Sequence, residues 1–163
     1  MQYAVSKELE NLGNEIIAKD RPELAVMKIQ YMFRPTASVS NGRIVAGRCI
    51  KVDDRNWTIH GFDFLVEIAG DVWQEAAGEF RTAIMDHELG HIGIRKDENG
   101  DEVRDEETQR ISAYIKLHDI EEFDEVLARH GAYHPALRQF LKKFQEHTEA
   151  AKKKKPQADE DRD

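Results

Sequence analysis

Two histidines four residues apart, His87 and His91, enclose a glutamate in the stretch AIMDHELGHIGIR, Ala83 to Arg95. On an α-helix, positions i and i+4 share a face, with Cβ atoms about 6 Å apart. Two imidazoles held that way can converge on one ion, at about 2.0–2.1 Å for zinc. Glu88 is turned by about 100° around the same helix. It sits too near to be a natural third ligand, but it is well placed to hydrogen-bond a water at the ion. This is the H-E-x-x-H arrangement that metal-assisted peptide hydrolysis uses. The ion polarises a carbonyl and acidifies water, and the carboxylate takes the proton and passes it to the leaving amine. Gly90, inside the motif, leaves room near the ion or lets another element pack closely. The plainer alternative is an ordinary helix with incidental histidines.

A catalytic zinc keeps three protein ligands and one open position, so a third donor must come from elsewhere. The downstream candidates are Glu106, Glu107, His118, Glu121, Glu122, His130 and His134. His118 is the best placed, in KLHDIEEF, where a predicted helix would bury Ile120, Phe123 and Leu127 and turn the imidazole toward a cleft. Glu122 is the next candidate and Glu107 the third. His130 and His134 are also four apart, but Gly131 and Pro135 interrupt a helix there. His60 and His147 read as solvated. Asp86 and Asp119 could orient ligand histidines from outside the coordination sphere.

The elements that must position these residues are legible in outline. SKELENLGNEIIAKD predicts an N-terminal helix, capped by Ser6, with Leu9, Leu12, Ile16 and Ile17 on one face. Pro22 ends it. Three strand-like stretches follow, AVMKIQYMFR, RIVAGRCIKVD and FDFLVEIAGDVW, joined by the linkers PTASVSNGR and DDRNWTIHG. Short links between consecutive strands suggest an antiparallel meander. Ile44, Ala46, Cys49 and Val52 are candidate inward residues. A helix is then expected from Gln74 to about His91, burying Ala77, Phe80, Ile84, Met85 and Leu89. IRKDENGDEVRDE reads as a solvated hairpin turning at Asn99-Gly100, because its oxygens miss the offsets of a calcium loop. ETQRISAYIKLHDIEEFDEVLARHG predicts one or two helices stopped by Gly131. HPALRQFLKKFQEHTEAAKK predicts a last amphipathic helix. The fold class is therefore α+β: an N-terminal helix, a three- to four-stranded mainly antiparallel sheet, the H-E-x-x-H helix and C-terminal helices.

The bulk properties narrow the function classes. At 163 residues the chain has the length of one domain, read as 1–149, with a disordered charged tail over 150–163. A net charge of −8 argues against a protein that grips phosphate backbones. The lysine block before the acidic end could touch an acidic partner, but a solubilising tail is the plainer reading. The single cysteine, Cys49, excludes an internal disulfide and points to a reducing compartment. No apolar run reaches the ~20 residues of a membrane span, and MQYAVSKELENLG lacks the apolar core of a signal peptide. The expectation is a soluble protein of the cytoplasm.

The sequence also resembles the phage metallopeptidase family, a branch of the zincin-like proteins. DHELGH (Asp86–His91), HDIEEF (His118–Phe123), RHGAY (Arg129–Tyr133) and GFDFLVEIAGDVW (Gly61–Trp73) carry the likeness, which spans roughly Ala25 to Pro135. The resemblance implies a zincin-like fold with a small sheet backing the motif helix. It also implies zinc at His87 and His91, Glu88 as base, His118 as third ligand, and a protein or peptide substrate. By the same analogy FLVEIAG borders the cleft, where an extended peptide could pair with its free edge, and Tyr133 could stabilise an oxyanion. HELGH also resembles the metallopeptidase domain that cleaves repressors in mobile elements. That group would need a downstream glutamate such as Glu107, and HDIEEF favours the first family. The leading expectation is a zinc metallopeptidase. The rival from another class is a binding or regulatory module braced by a structural zinc with four protein ligands.

Overall fold

The N-terminal helix forms where its cap and apolar spacing require it. In the computed structural model, which describes residues 2–120, 124–133 and 135–154, a short strand β1 (Ala4–Val5) leads into α1 (Lys7–Asp20). The Ser6 hydroxyl accepts from the Leu9 amide at 3.2 Å, satisfying one of the helix's orphan donors. Leu9, Gly13, Ile16 and Ile17 form its buried face. Pro22 opens a 3₁₀ turn (Pro22–Val26), so β2 begins only at Ile29 and runs to Arg34.

The second strand-like stretch is broken in two. Asn41 and Gly42 turn a small hairpin of β3 (Ser38–Ser40) and β4 (Arg43–Val45), and β5 is Gly47–Lys51. Ile44 is thereby exposed, not inward, whereas Ala46 and Cys49 pack against the core. The expected linker at 53–61 is a helix, α2 (Asp54–His60), because the Asp53 carboxylate caps it at the Asn56 amide and Gly61 closes it in the left-handed region. β6 (Phe64–Ala69) follows, and its predicted continuation, Gly70 to Trp73, is helical instead, in α3 (Gly70–Glu75).

β1, β2, β6 and β5 form one mixed sheet in that order. β1 and β5 pair antiparallel with β2 and β6, while β2 and β6 run parallel in register Ile29↔Phe64 to Arg34↔Ala69. The meander expectation fails at that parallel pair, since the intervening hairpin, β5 and α2 act as the crossover a parallel pair needs. β6 is central and fully flanked, so FLVEIAG has no free edge for a peptide.

The motif helix α4 is Gly78–Gly90. It is separate from α3 because Ala76 is extended, and the Trp73 carbonyl near the end of α3 accepts from Arg81 Nε at 3.0 Å. Ile84, Met85, Glu88 and Leu89 are its buried residues, while Ala77 and Phe80 are exposed, contrary to expectation. α4 lies against α1, β5 and β6. The buried cluster runs from Leu9 through Tyr31, Phe64, Val66, Ile68, Met85 and Leu89 to Ala113.

After α4, β7 (Ile92–Ile94) pairs antiparallel with β8 (Ala113–Ile115). The expected hairpin at Asn99-Gly100 forms between them, with a bridge at Lys96↔Glu102 and Asp97 Oδ1 accepting the amides of Asn99 and Asp101. The helix expected to run from Glu107 through His118 does not form. Its first part is the Arg104↔Ile111 bridge and β8. Helix returns as α5 (Asp124–His130) and α6 (Pro135–Lys154). The last helix thus extends past residue 149, and residues 155–163 of the expected tail lie outside the described ones. The chain divides into two units, residues 1–117, which contain the sheet and the buried cluster, and 118–163, which contain α5 and α6.

Candidate metal centre

His87 and Glu88 lie in the last turn of α4, and His91 is its C-cap, still in right-handed helical geometry with φ −75° and ψ −10°. The helical path therefore survives to His91, and its ring centroid lies 5.0 Å from that of His87, the planes at 85°. Immediately after, the β7–β8 pairing folds the chain back, with Ile92 opposite Ile115. The Lys116 amide donates to the His91 carbonyl at 2.7 Å. In return the His91 ring contacts the Lys116 carbonyl through Nδ1, also at 2.7 Å. A carbonyl can only accept, so Nδ1 carries a proton, and in the neutral ring Nε2 is the nitrogen with the lone pair. That is how a histidine ligand is commonly oriented for a metal.

His118 is two residues beyond this pinned position. It lies in irregular chain, not on a helix, and one nitrogen from each of His87, His91 and His118 falls within 4.8 Å of the others. His91 is half-buried, and the other two are exposed. Three imidazoles converging at such spacing suit a borderline-soft divalent ion, and the cluster suggests that the protein holds a metal.

Glu88, on the same turn of α4, is buried and only 5% exposed. Burial pushes its carboxyl up to about 7, against the pull of His91, Arg34 and the Cys49 backbone amide that hydrogen-bonds to it. β5 approaches closely: a Cβ on Gly47 would lie 2.5 Å from Glu88 Oε1. The neighbouring Cys49 thiol is pushed up to about 12 by burial and by Glu88. Arg34 is itself buried, its guanidinium donating to the carbonyls of Thr36 and Val45.

The other candidates go elsewhere. Glu107 is exposed and lines a separate cleft of about 440 Å³ with Lys51, Trp57 and Arg110. Glu121, Glu122 and His134 lie outside the described residues. His60 ends α2, and His130 and His147 lie on α5 and α6, all three exposed. Asp86 does not orient a histidine: its Oδ1 accepts from Arg21 Nε at 2.7 Å, and its carbonyl accepts from the same guanidinium at 3.1 Å. Tyr133 is 49% exposed in the second unit. Sequence reasoning missed Arg21, Gly47, the Cys49 amide and the Lys116 carbonyl. Only Gly47 left a signal, as an isolated glycine in a strand pattern, which marks close approach of another group.

No described helix is long and apolar enough to cross a membrane. Comparison with curated proteins and with solved structures yields no match. The family model described as "Putative phage metallopeptidase" matches residues 1–145, most of the chain and all three clustered histidines, and the protein belongs to that family.

Proposed function

We propose that this protein is a zinc-dependent, zincin-like peptidase in which His87, His91 and His118 hold the metal and Glu88 is the general base. The observation that carries the reading is the meeting of three imidazoles beside a buried carboxylate on the same helical turn. When bound, the ion supplies Lewis acidity, polarising the scissile carbonyl and making water a nucleophile near neutral pH. The chain's own groups do the rest. The Lys116 carbonyl holds the His91 tautomer, so that Nε2 is presented. Glu88 takes a proton from the attacking water and returns it to the leaving amine. Its raised affinity for protons matches it to that exchange, and the Cys49 amide and the backbone of Gly47 hold the carboxylate in one place.

The test uses purified protein loaded with zinc. Glu88→Gln keeps one zinc per chain and loses about 10²–10⁴-fold in peptide turnover. His87→Ala loses both. His118→Ala falls below stoichiometric zinc. Unchanged turnover in Glu88→Gln removes the base assignment, and full zinc content in His118→Ala removes the third ligand.

A further inference from the structure

Residues 34–51 contain four basic side chains, Arg34, Arg43, Arg48 and Lys51, and no aspartate or glutamate, in a chain of net charge −8. At their middle is the β3–β4 ribbon, turned by Asn41 and Gly42 at φ 49° and 75°, the left-handed pair that a two-residue hairpin turn requires. Val39 and Ile44 are cross-strand partners, so both side chains leave the same face. Each is 70% exposed. A two-stranded ribbon is marginal in water, and two aliphatics that stay 70% exposed contribute to it only what they bury against each other.

Of the four basic groups Arg34 is buried and held by backbone carbonyls, which leaves Arg43, Arg48 and Lys51 as the outward charge. Arg48 donates to the Ser38 hydroxyl at 2.9 Å and stands opposite Glu67 in register. The nearby carboxylate of Asp71 is engaged by the Ala37 amide. Among the described residues none of Arg43, Arg48 and Lys51 has a carboxylate at ion-pair distance.

The ribbon also leads straight into the candidate centre. Arg34 grips the Val45 carbonyl, and Gly47, two residues on, lies against the Glu88 carboxylate. Three residues of extended chain span at most about 11 Å, so Ile44 is within reach of a peptide a few residues long held at Glu88.

We propose that the 38–48 ribbon is a docking arm for the substrate, taking an apolar side chain flanked by carboxylates a few residues from the bond that is cut. The proposal rests on the peptidase reading above and adds the substrate class to it: an acidic, apolar segment of a protein or peptide.

Zinc-loaded protein is incubated with a mixed peptide library, and the cut sites are read by mass spectrometry. The expected profile is enriched in acidic residues next to an apolar one, within about four residues of the cut. For the best such peptide, Arg43→Glu and the double variant Val39→Ser/Ile44→Ser each raise KM about tenfold, with zinc content at the wild-type level. Added salt raises the wild-type KM and has less effect on Arg43→Glu. A profile with neither preference, or wild-type KM in both variants, overturns the arm and leaves the peptidase reading standing.

If no peptide is cut, the peptidase reading fails, and the arm is judged by binding alone. A labelled acidic-apolar peptide is then titrated by anisotropy into zinc-loaded Glu88→Gln protein. Equal affinity for a peptide with lysines in place of the acids overturns the arm. A wild-type dimer that the Val39→Ser/Ile44→Ser variant splits, with KM unchanged, assigns the face to a second copy and overturns it as well.

Discussion

At the scale of single residues, Glu88 is held in a place where its charge is costly. Its carboxyl ionises near 4.5 when solvated and near 7 in the fold, chiefly because burial strips its water. Between those values the metal-free folded state binds more protons than the unfolded one, so this group's contribution to stability is complete below about 4.5 and is lost as pH rises through about 7. Glu88→Gln carries no such charge. In metal-free protein its melting temperature should therefore gain on wild type as pH goes from 5 to 8, measured by thermal denaturation in chelator. An identical difference at both pH values would mean that Glu88 is solvated. Gly47 gives a second test at the same scale. Gly47→Ala would drive a Cβ to 2.5 Å from Glu88 Oε1 and 2.7 Å from its Cδ, so the carboxylate must move by most of an ångström. Misplacement of that size costs about 100-fold in rate, while the histidines are untouched. The variant should keep its zinc and lose turnover, and a variant with full kcat/KM contradicts the close approach. His87, Glu88 and His91 were legible because one helical turn is a local object. Gly47 and the Lys116 carbonyl were not, because their roles exist only after β5 and β8 have been brought to the helix from other parts of the chain.

At the scale of elements, the last turn of α4 is braced from α1. Arg21, the C-cap of α1, donates through Nε to Asp86 Oδ1 and through a terminal nitrogen to the Asp86 carbonyl. A Cβ on Gly90 would meet that guanidinium at 3.1 Å. The glycine inside HELGH thus makes room for an arginine 69 positions earlier in the chain, which decides between the two roles its position suggested. Alanine ordinarily gains about 1 kcal/mol over glycine within a helix, and overpacking costs about 1–3 kcal/mol. Gly90→Ala should accordingly be neutral to destabilising by about 2 kcal/mol in the native background, and stabilising once Arg21→Ala has removed the obstacle. Denaturant titration of the four proteins of that cycle measures it, and the same effect in both backgrounds would dissociate Gly90 from Arg21. The same scale explains the largest error of sequence reading. Ile111, Tyr114 and Ile115 fall at helical spacing in ETQRISAYIKLH, yet Ile111 and Ala113 are buried through strand pairing with Arg104 and Ile94. Local periodicity could not register partners that lie 7 and 19 residues away, and His118 was placed near the centre by a hairpin and not by a helix.

At the scale of the whole molecule, nearly everything needed for the candidate centre precedes residue 118. The mixed sheet, α1, α4 and every member of the buried cluster lie within 1–117. So does the mutual pinning of His91 and Lys116 that sets where the chain stands two residues later. A small unit with its own core should fold without the rest, whereas a metal site with one of three imidazoles removed should hold its ion more weakly. Fragment 1–117 is therefore expected to melt cooperatively, with the near-ultraviolet circular dichroism of its tryptophans, Trp57 and Trp73, preserved. It should bind zinc more weakly than the full chain by more than the ~10–100-fold that loss of an outer-sphere partner costs. Fragment 1–120 differs only by His118, Asp119 and Ile120, and should recover most of that affinity. Competition with a chromophoric chelator reads both values. If 1–117 fails to melt cooperatively, the first unit depends on the second for its fold. If 1–120 binds zinc no better than 1–117, His118 does not serve as the third donor, and the ligand must be sought beyond residue 120.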